Sequence, residues 1–188
     1  MEGSGGNRLT WAEVPGHVRA AVEAGIGDEP DEFSGWARLA ADPAPGVDPW
    51  ALDRLDELVE LESRWAAATA GTSLVHADLR ADNALLTSSG DVVFVDWTGA
   101  AAGAPWVDLV LMLPSVAMQG GPEPQEVWRT SPLARDADPD AVTSVVAAIT
   151  GYFAHRSLQP APPGLPTLRP FQAAQGRPAL RWLRQRLG

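Results

Sequence analysis

The chain has 188 residues, a formal net charge of −10, no cysteine and, among its 14 basic residues, no lysine. The missing cysteines exclude a disulfide framework, a zinc knuckle and a thiol nucleophile. The missing lysines exclude a Schiff base and a Walker loop, and the acidity disfavours nucleic acid as a partner while suiting a cationic small molecule.

The N-terminal stretch Met1–Arg8 is Gly-rich and polar, without the basic and apolar regions of a signal peptide. Thr10 and Glu13 have capping-box spacing, and a short helix is expected from Pro15 to Ala24. Gly25–Ser34, rich in Gly and acids, reads as a linker. Asp48-Pro49 is a helix start, an N-cap residue followed by Pro at the first helical position. The spacing of Leu52, Leu55, Leu58, Val59, Leu61 and Trp65 predicts one helix from Pro49 to about Ala70, closed by Gly71.

Beyond Gly71 the texture changes to short apolar runs, Ser73-Leu74-Val75 and Ala84-Leu85-Leu86, around a polar stretch from His76 to Asn83. Ser88-Ser89-Gly90-Asp91 is a turn, and Val92-Val93-Phe94-Val95 reads as a buried strand ended by Asp96. A helix bent by Pro114 is expected from Pro105 to about Met118, and Asp108 and Pro114 interrupt its apolar run well short of the ~18–20 residues of a membrane span. Gly120–Asp136 reads as irregular. Asp138 or Asp140 opens a helix with Val142, Val145, Val146, Ile149 and Phe153 as its stripe. A proline-rich connector leads to a last helix over Leu168–Leu187, strained near Gly176 and Pro178, with its arginines exposed. The class expected is α+β and mostly helical, in a cytoplasmic protein without a membrane partner.

The chemistry lies in His76-Ala77-Asp78-Leu79-Arg80-Ala81-Asp82-Asn83, then Val93-Phe94-Val95-Asp96-Trp97, then Gly103-Ala104-Pro105-Trp106-Val107-Asp108-Leu109. Each piece alone is weak. His-x-Asp arises by chance, Asp82 reads as a loop residue, and Asp108 alone reads as a helix N-terminal acid. In this order, with a strand between the first two, the three segments resemble the aminoglycoside phosphotransferases and their choline-kinase-like relatives.

That resemblance implies a protein-kinase-like C-terminal lobe whose β-hairpin carries the catalytic and metal loops. It implies phosphorylation of a hydroxyl on a small molecule, such as an aminoglycoside, a macrolide or a choline-like alcohol, with ATP or GTP and Mg²⁺. Asp78 then stands where the base accepts the hydroxyl proton, Asn83 and Asp96 where Mg²⁺ is held, and Arg80 near the transferred phosphate. His76 and Asp108 support the loop. Glu123 and Glu126, or Asp136, Asp138 and Asp140, are acids available to a cationic substrate, and each also reads as an ordinary solvated charge.

Members of this family carry a β-rich N-terminal lobe with a nucleotide-clamping lysine. Here no segment before Asp48 reads as a sheet, and the lysine has no counterpart. The expected organisation is a tail and linker over residues 1–32, with a deletion junction near 27–31, and a catalytic lobe over residues 33–188. The surface left by such a lobe would favour self-association. The rival readings are a non-catalytic, pseudokinase-like binding module, an enzyme completed by another polypeptide, and, more distantly, a Mg²⁺-dependent hydrolase built on His76, Asp78 and Asp96.

Overall fold

The computed structural model describes Gly16, Arg19 and residues 25–188. The capping pair Thr10 and Glu13 lies outside these residues, as does the helix expected over Pro15–Ala24 apart from Gly16 and Arg19. The described chain is mostly helical, with two small antiparallel sheets. None of its helices is long and apolar enough to cross a membrane.

The first helix, α1 (Gly35–Ala41), follows a 3-10 turn at Pro30–Phe33. Pro49–Ala70, expected as one helix, is instead α2 (Pro49–Leu52), α3 (Leu55–Ser63) and α4 (Trp65–Ala68). The breaks at Asp53-Arg54 and Arg64 re-phase the apolar positions. Ala51, Leu58, Leu61 and Trp65 all reach the core, while Leu52, on the stripe of an unbroken helix, is exposed. The N-cap is as expected: the Asp48 carboxylate accepts from Trp50 N at 2.9 Å.

Strand β1 (Ser73–Val75) pairs with β4 (Ala101–Gly103), and β2 (Ala84–Leu86) pairs with β3 (Val92–Phe94) as a hairpin. The hairpin follows the sequence; β4 does not, because Ala-Ala-Gly carries no strand pattern. Val92–Phe94, expected to be buried, is exposed along with Leu85 and Leu86. A two-stranded ribbon has two faces, and cover for both would have to come from the rest of the chain. Phe94 and Trp97 approach the His76 ring, with centroids 6.4 and 4.6 Å away.

Helix α5 (Val107–Met118) contains Pro114. Gly120–Asp136, expected to be irregular, holds α6 (Pro124–Thr130) and a 3-10 turn at Pro132–Ala134. Helix α6 is too short for periodicity to reveal. Its anchor is Trp128, buried between Trp106 and Trp182 with centroids 6.4 and 6.5 Å away.

Helix α7 (Pro139–Ser157) is the central post, capped by Asp138, and is buried almost all round from Ser144 to Gly151. The start of α1 lies directly on it. A Cβ at Gly35 would stand 1.9 Å from Gly151 O, and one at Gly151 would stand 2.6 Å from Trp36 Cδ1, so the contact requires glycine on both sides. Trp36 Nε1 donates to Ala147 O at 2.9 Å and locks the crossing.

The last helix, α8 (Leu168–Leu187), runs through Pro178 without a break and packs along α7. Its arginines are not simply solvated. Arg181 pairs with Glu123, Arg184 pairs with Asp48 above the Trp50 ring, and Arg186 donates to Thr143 Oγ1 and Pro139 O. The guanidinium forks thus tie α8 to three other parts of the chain.

One buried acid has a stability consequence. Glu62 is 2% exposed, and its two carboxylate oxygens accept from Trp36 N and Ala37 N, both at 3.0 Å, at the open end of α1. Burial pushes its pKa up to about 7 against the pull of those backbone hydrogen bonds. The folded state therefore holds a proton that the unfolded chain has lost between pH 4.5 and 7. Stability is fully present below this window and falls across it, by on the order of 3 kcal/mol from this group. Denaturant melts at pH 5 and pH 8 should show the drop, and Glu62→Gln should make the slope shallower.

Candidate active site

The polar stretch after β1 is held in place by a helix acid. Asp108, in the first turn of α5, accepts from His76 N at 2.9 Å with Oδ2 and from Ala77 N at 2.8 Å with Oδ1. Burial raises the Asp108 pKa, while these two N–H groups and His76 pull it back. The grip matters because Ala77 has φ 66°, a left-handed conformation that costs an L-residue about 1–2 kcal/mol.

His76 is buried and works as a brace. Its Nε2 lies 2.9 Å from Val95 O, and its Nδ1 lies 3.3 Å from Asp78 N. The carbonyl can only accept and the backbone N–H can only donate, so the ring carries its proton on Nε2. One imidazole thereby joins the loop to the end of β3.

Asp78 has both carboxylate oxygens engaged. Arg80 Nη1 donates to Oδ1 at 2.9 Å, and Asn83 Nδ2 donates to Oδ2 at 3.1 Å and to Asp78 O at 2.9 Å. Burial raises its pKa, and Asp82 adds to this, while Arg80, Asn83 and His76 oppose it. A carboxylate held above its ordinary value is a better proton acceptor.

Arg80 is shared. Its Nε and Nη2 form a fork on Asp82 at 3.1 and 2.9 Å, and the hydrogen bond to Asp82 is the largest cause of its raised pKa. Asp82, read from sequence as a loop residue, is therefore the arginine's anchor.

Asn83 and Asp96 come together through the hairpin. The register pairs Ala84 with Phe94, and Val95 N donates to Asn83 O at 2.9 Å, so the residue before β2 faces the residue before Asp96. The Asn83 amide nitrogen is turned to Asp78, which leaves its carbonyl oxygen available. Asp96 is left-handed at φ 61°, and its Oδ1 accepts from Thr98 Oγ1 at 2.9 Å. One carboxylate and one amide oxygen are hard donors of the kind that divalent cations such as Mg²⁺ take. Among the described residues no cluster of three His, Cys, Asp or Glu side chains could hold a metal unaided.

Asp78 and Arg80 also line a cavity of about 670 Å³ between the loop, residues 25–33, α7 and α8. The segment read as a linker is thus a wall of the cavity, fixed by Ile26 N donating to Ala102 O at 3.0 Å. It brings Asp28, Glu29 and Glu32 to the site. The Glu32 pKa is raised by burial first, then by Glu29, with Asp78 also contributing and Arg156 opposing. Of the acids suggested by sequence, Glu123, Glu126, Asp136, Asp138 and Asp140 do not line this cavity. Glu123 is bound to Arg181, and Asp138 caps α7.

The chain matches the model of the phosphotransferase enzyme family (APH) over residues 20–145, a span that contains all of these loops. No curated protein and no solved structure gives a significant match.

Proposed function

The chain belongs to the phosphotransferase enzyme family, and from that premise we propose that it moves the γ-phosphoryl group of ATP or GTP to a hydroxyl of a small cationic molecule seated in the cavity. The observation that carries this reading is Asp78, a half-buried carboxylate in the cavity wall that is hydrogen-bonded to Asn83. The acceptor hydroxyl attacks the γ-phosphorus and a new P–O bond forms. The bond to the β-phosphate oxygen breaks, the nucleoside diphosphate leaves, and the hydroxyl proton goes to Asp78.

Asn83 and Asp96 would hold Mg²⁺, which when bound neutralises charge on the β- and γ-phosphate oxygens. Arg80 swings from Asp78 to the phosphate, which frees Oδ1 for the proton; Asp82 keeps the guanidinium from drifting. Burial and the neighbouring Glu29 both disfavour the charge on Glu32, and a cationic acceptor relieves that repulsion.

A second reading, a binding module without turnover, is favoured by one observation: the sequence has no lysine to clamp the nucleotide. The test is transfer of labelled γ-phosphate from Mg·ATP to a panel of cationic alcohols. Labelled product supports the kinase reading. Binding of the same alcohols with no transfer supports the module.

A further inference from the structure

We propose that the outer edge of β2 is the docking site for a second copy of this chain, the two β2 strands pairing antiparallel about a two-fold axis at Leu85. The hairpins of the two copies then join into one four-stranded sheet.

Among the described residues the hairpin is a sheet of two strands, so each strand is an edge. Val95 N donates to Asn83 O and Thr87 N donates to Asp91 O, both at 2.9 Å. Hydrogen-bonded pairs alternate along an antiparallel ladder. Leu85 and Val93 therefore form the inward pair between these two, and Ala84 and Leu86 turn their backbone groups outward, as do Val92 and Phe94. The two edges differ. Phe94 O accepts from Trp97 Nε1 at 3.0 Å, which caps the β3 edge. Ala84-Leu85-Leu86 carries no charge, no proline and no bulge to guard the β2 edge. Leu86, at 76% exposed, stands at its open end.

An uncharged edge is matched by another uncharged edge, and β2 matches itself. With Leu85 on the axis, Leu86 N of each copy meets Ala84 O of the other, while Ala84 N stays with Ala81 O. The charges agree with this choice. Asp82 falls opposite Ser88 of the second copy and is already paired with Arg80. The same operation on β3, about Val93, would set Asp91 of one copy diagonal to Asp96 of the other, two like charges across strands in a chain of net charge −10.

Leu85, Leu86, Val92, Val93, Phe94 and Trp97 are all exposed. At about 200 Å² for a fully exposed large side chain they offer roughly 600 Å² per copy, and covering them in a pair would bury about 1,200 Å², the lower bound of specific interfaces. An edge contact covers part of that area, so the dimer is a weak one, with Kd on the order of 10 μM.

Sedimentation velocity of the full chain over about 1–200 μM tests this, and a monomer–dimer equilibrium within that range is expected. Leu86→Pro removes an outward N–H and leaves the β2–β3 ladder its donors, so it should weaken the dimer about tenfold or more. Leu85→Lys, a second variant should the first fail to fold, sets two like charges together on the axis and should do the same. Leu165→Lys changes an apolar residue exposed to a similar degree in the connector before α8, and it should leave the equilibrium unchanged. A monomer at every concentration, as when the chain's own residues ahead of Gly25 hold the edge, would overturn the proposal. So would species that grow beyond a dimer, a dimer that survives both β2 variants, or one that Leu165→Lys weakens equally.

Discussion

Asp78→Asn should lower kcat for phosphoryl transfer by about 10²–10⁴-fold while leaving the melting temperature equal to or above that of the wild type. Asparagine keeps one oxygen for the donors on Asp78 but cannot take a proton at neutral pH. The thermal result follows from exposure: the Asp78 side chain is 46% exposed, so the change leaves no deeply buried group without a partner. KM for the acceptor should change little, because the lost interaction belongs to the transition state. A binding module predicts the opposite pattern, with nothing to lose at position 78. Calorimetry of the acceptor with both variants, beside initial rates, separates the two.

Asp108→Asn should act through the backbone instead. One amide oxygen replaces two carboxylate oxygens, so either His76 N or Ala77 N loses its acceptor and faces an amide NH₂. An unsatisfied buried N–H costs about 1–3 kcal/mol. Ala77 is also released to leave its left-handed conformation, which moves Asp78 with it. The expected result is a fall in melting temperature of about 5 °C together with a loss of kcat. A fall in kcat alone would place Asp108 in the chemistry; a fall in melting temperature alone would leave it no part in positioning the base.

The two variants also show what the sequence makes legible. The order of His76, Asp78, Asn83, Asp96 and Asp108 is a local code. Each role depends on a short loop or a hairpin, and the register of β2 against β3 follows from the turn at Ser88–Asp91. The Asp108 grip on the loop is implied only by the resemblance of the Gly103–Leu109 segment to the family's; taken alone, Asp108 reads as a helix N-terminal acid.

The cavity was not legible in this way. Residues 25–33 have the Gly and acid content of a linker, and only their pairing with β4 makes them a wall. Strand β4 is itself without a sequence signal. Glu62 reads as one more acid on a helix that carries several, and its burial depends on the close approach of Gly35 to Gly151. Gln172 and Gln175 are neutral residues in an arginine-rich helix. Nothing in their spacing distinguishes a buried amide from a solvated one.

The buried reading of Val92–Phe94 failed for a related reason. A β-branched run states a preference for cover without stating whether this chain supplies it. In the described residues Leu86 is 76% exposed, and the hairpin's apolar face is open beside the Asn83 and Asp96 oxygens.

The most direct test of the central claim, that these loops form a working nucleotide–metal face, is calorimetric titration of the purified chain with ATP, with and without Mg²⁺, repeated on Asp96→Asn. The predicted result is Mg²⁺-dependent binding that Asp96→Asn abolishes at an unchanged melting temperature. The absence of binding up to millimolar ATP by a folded chain, or Mg²⁺-dependent binding that survives Asp96→Asn, would contradict it.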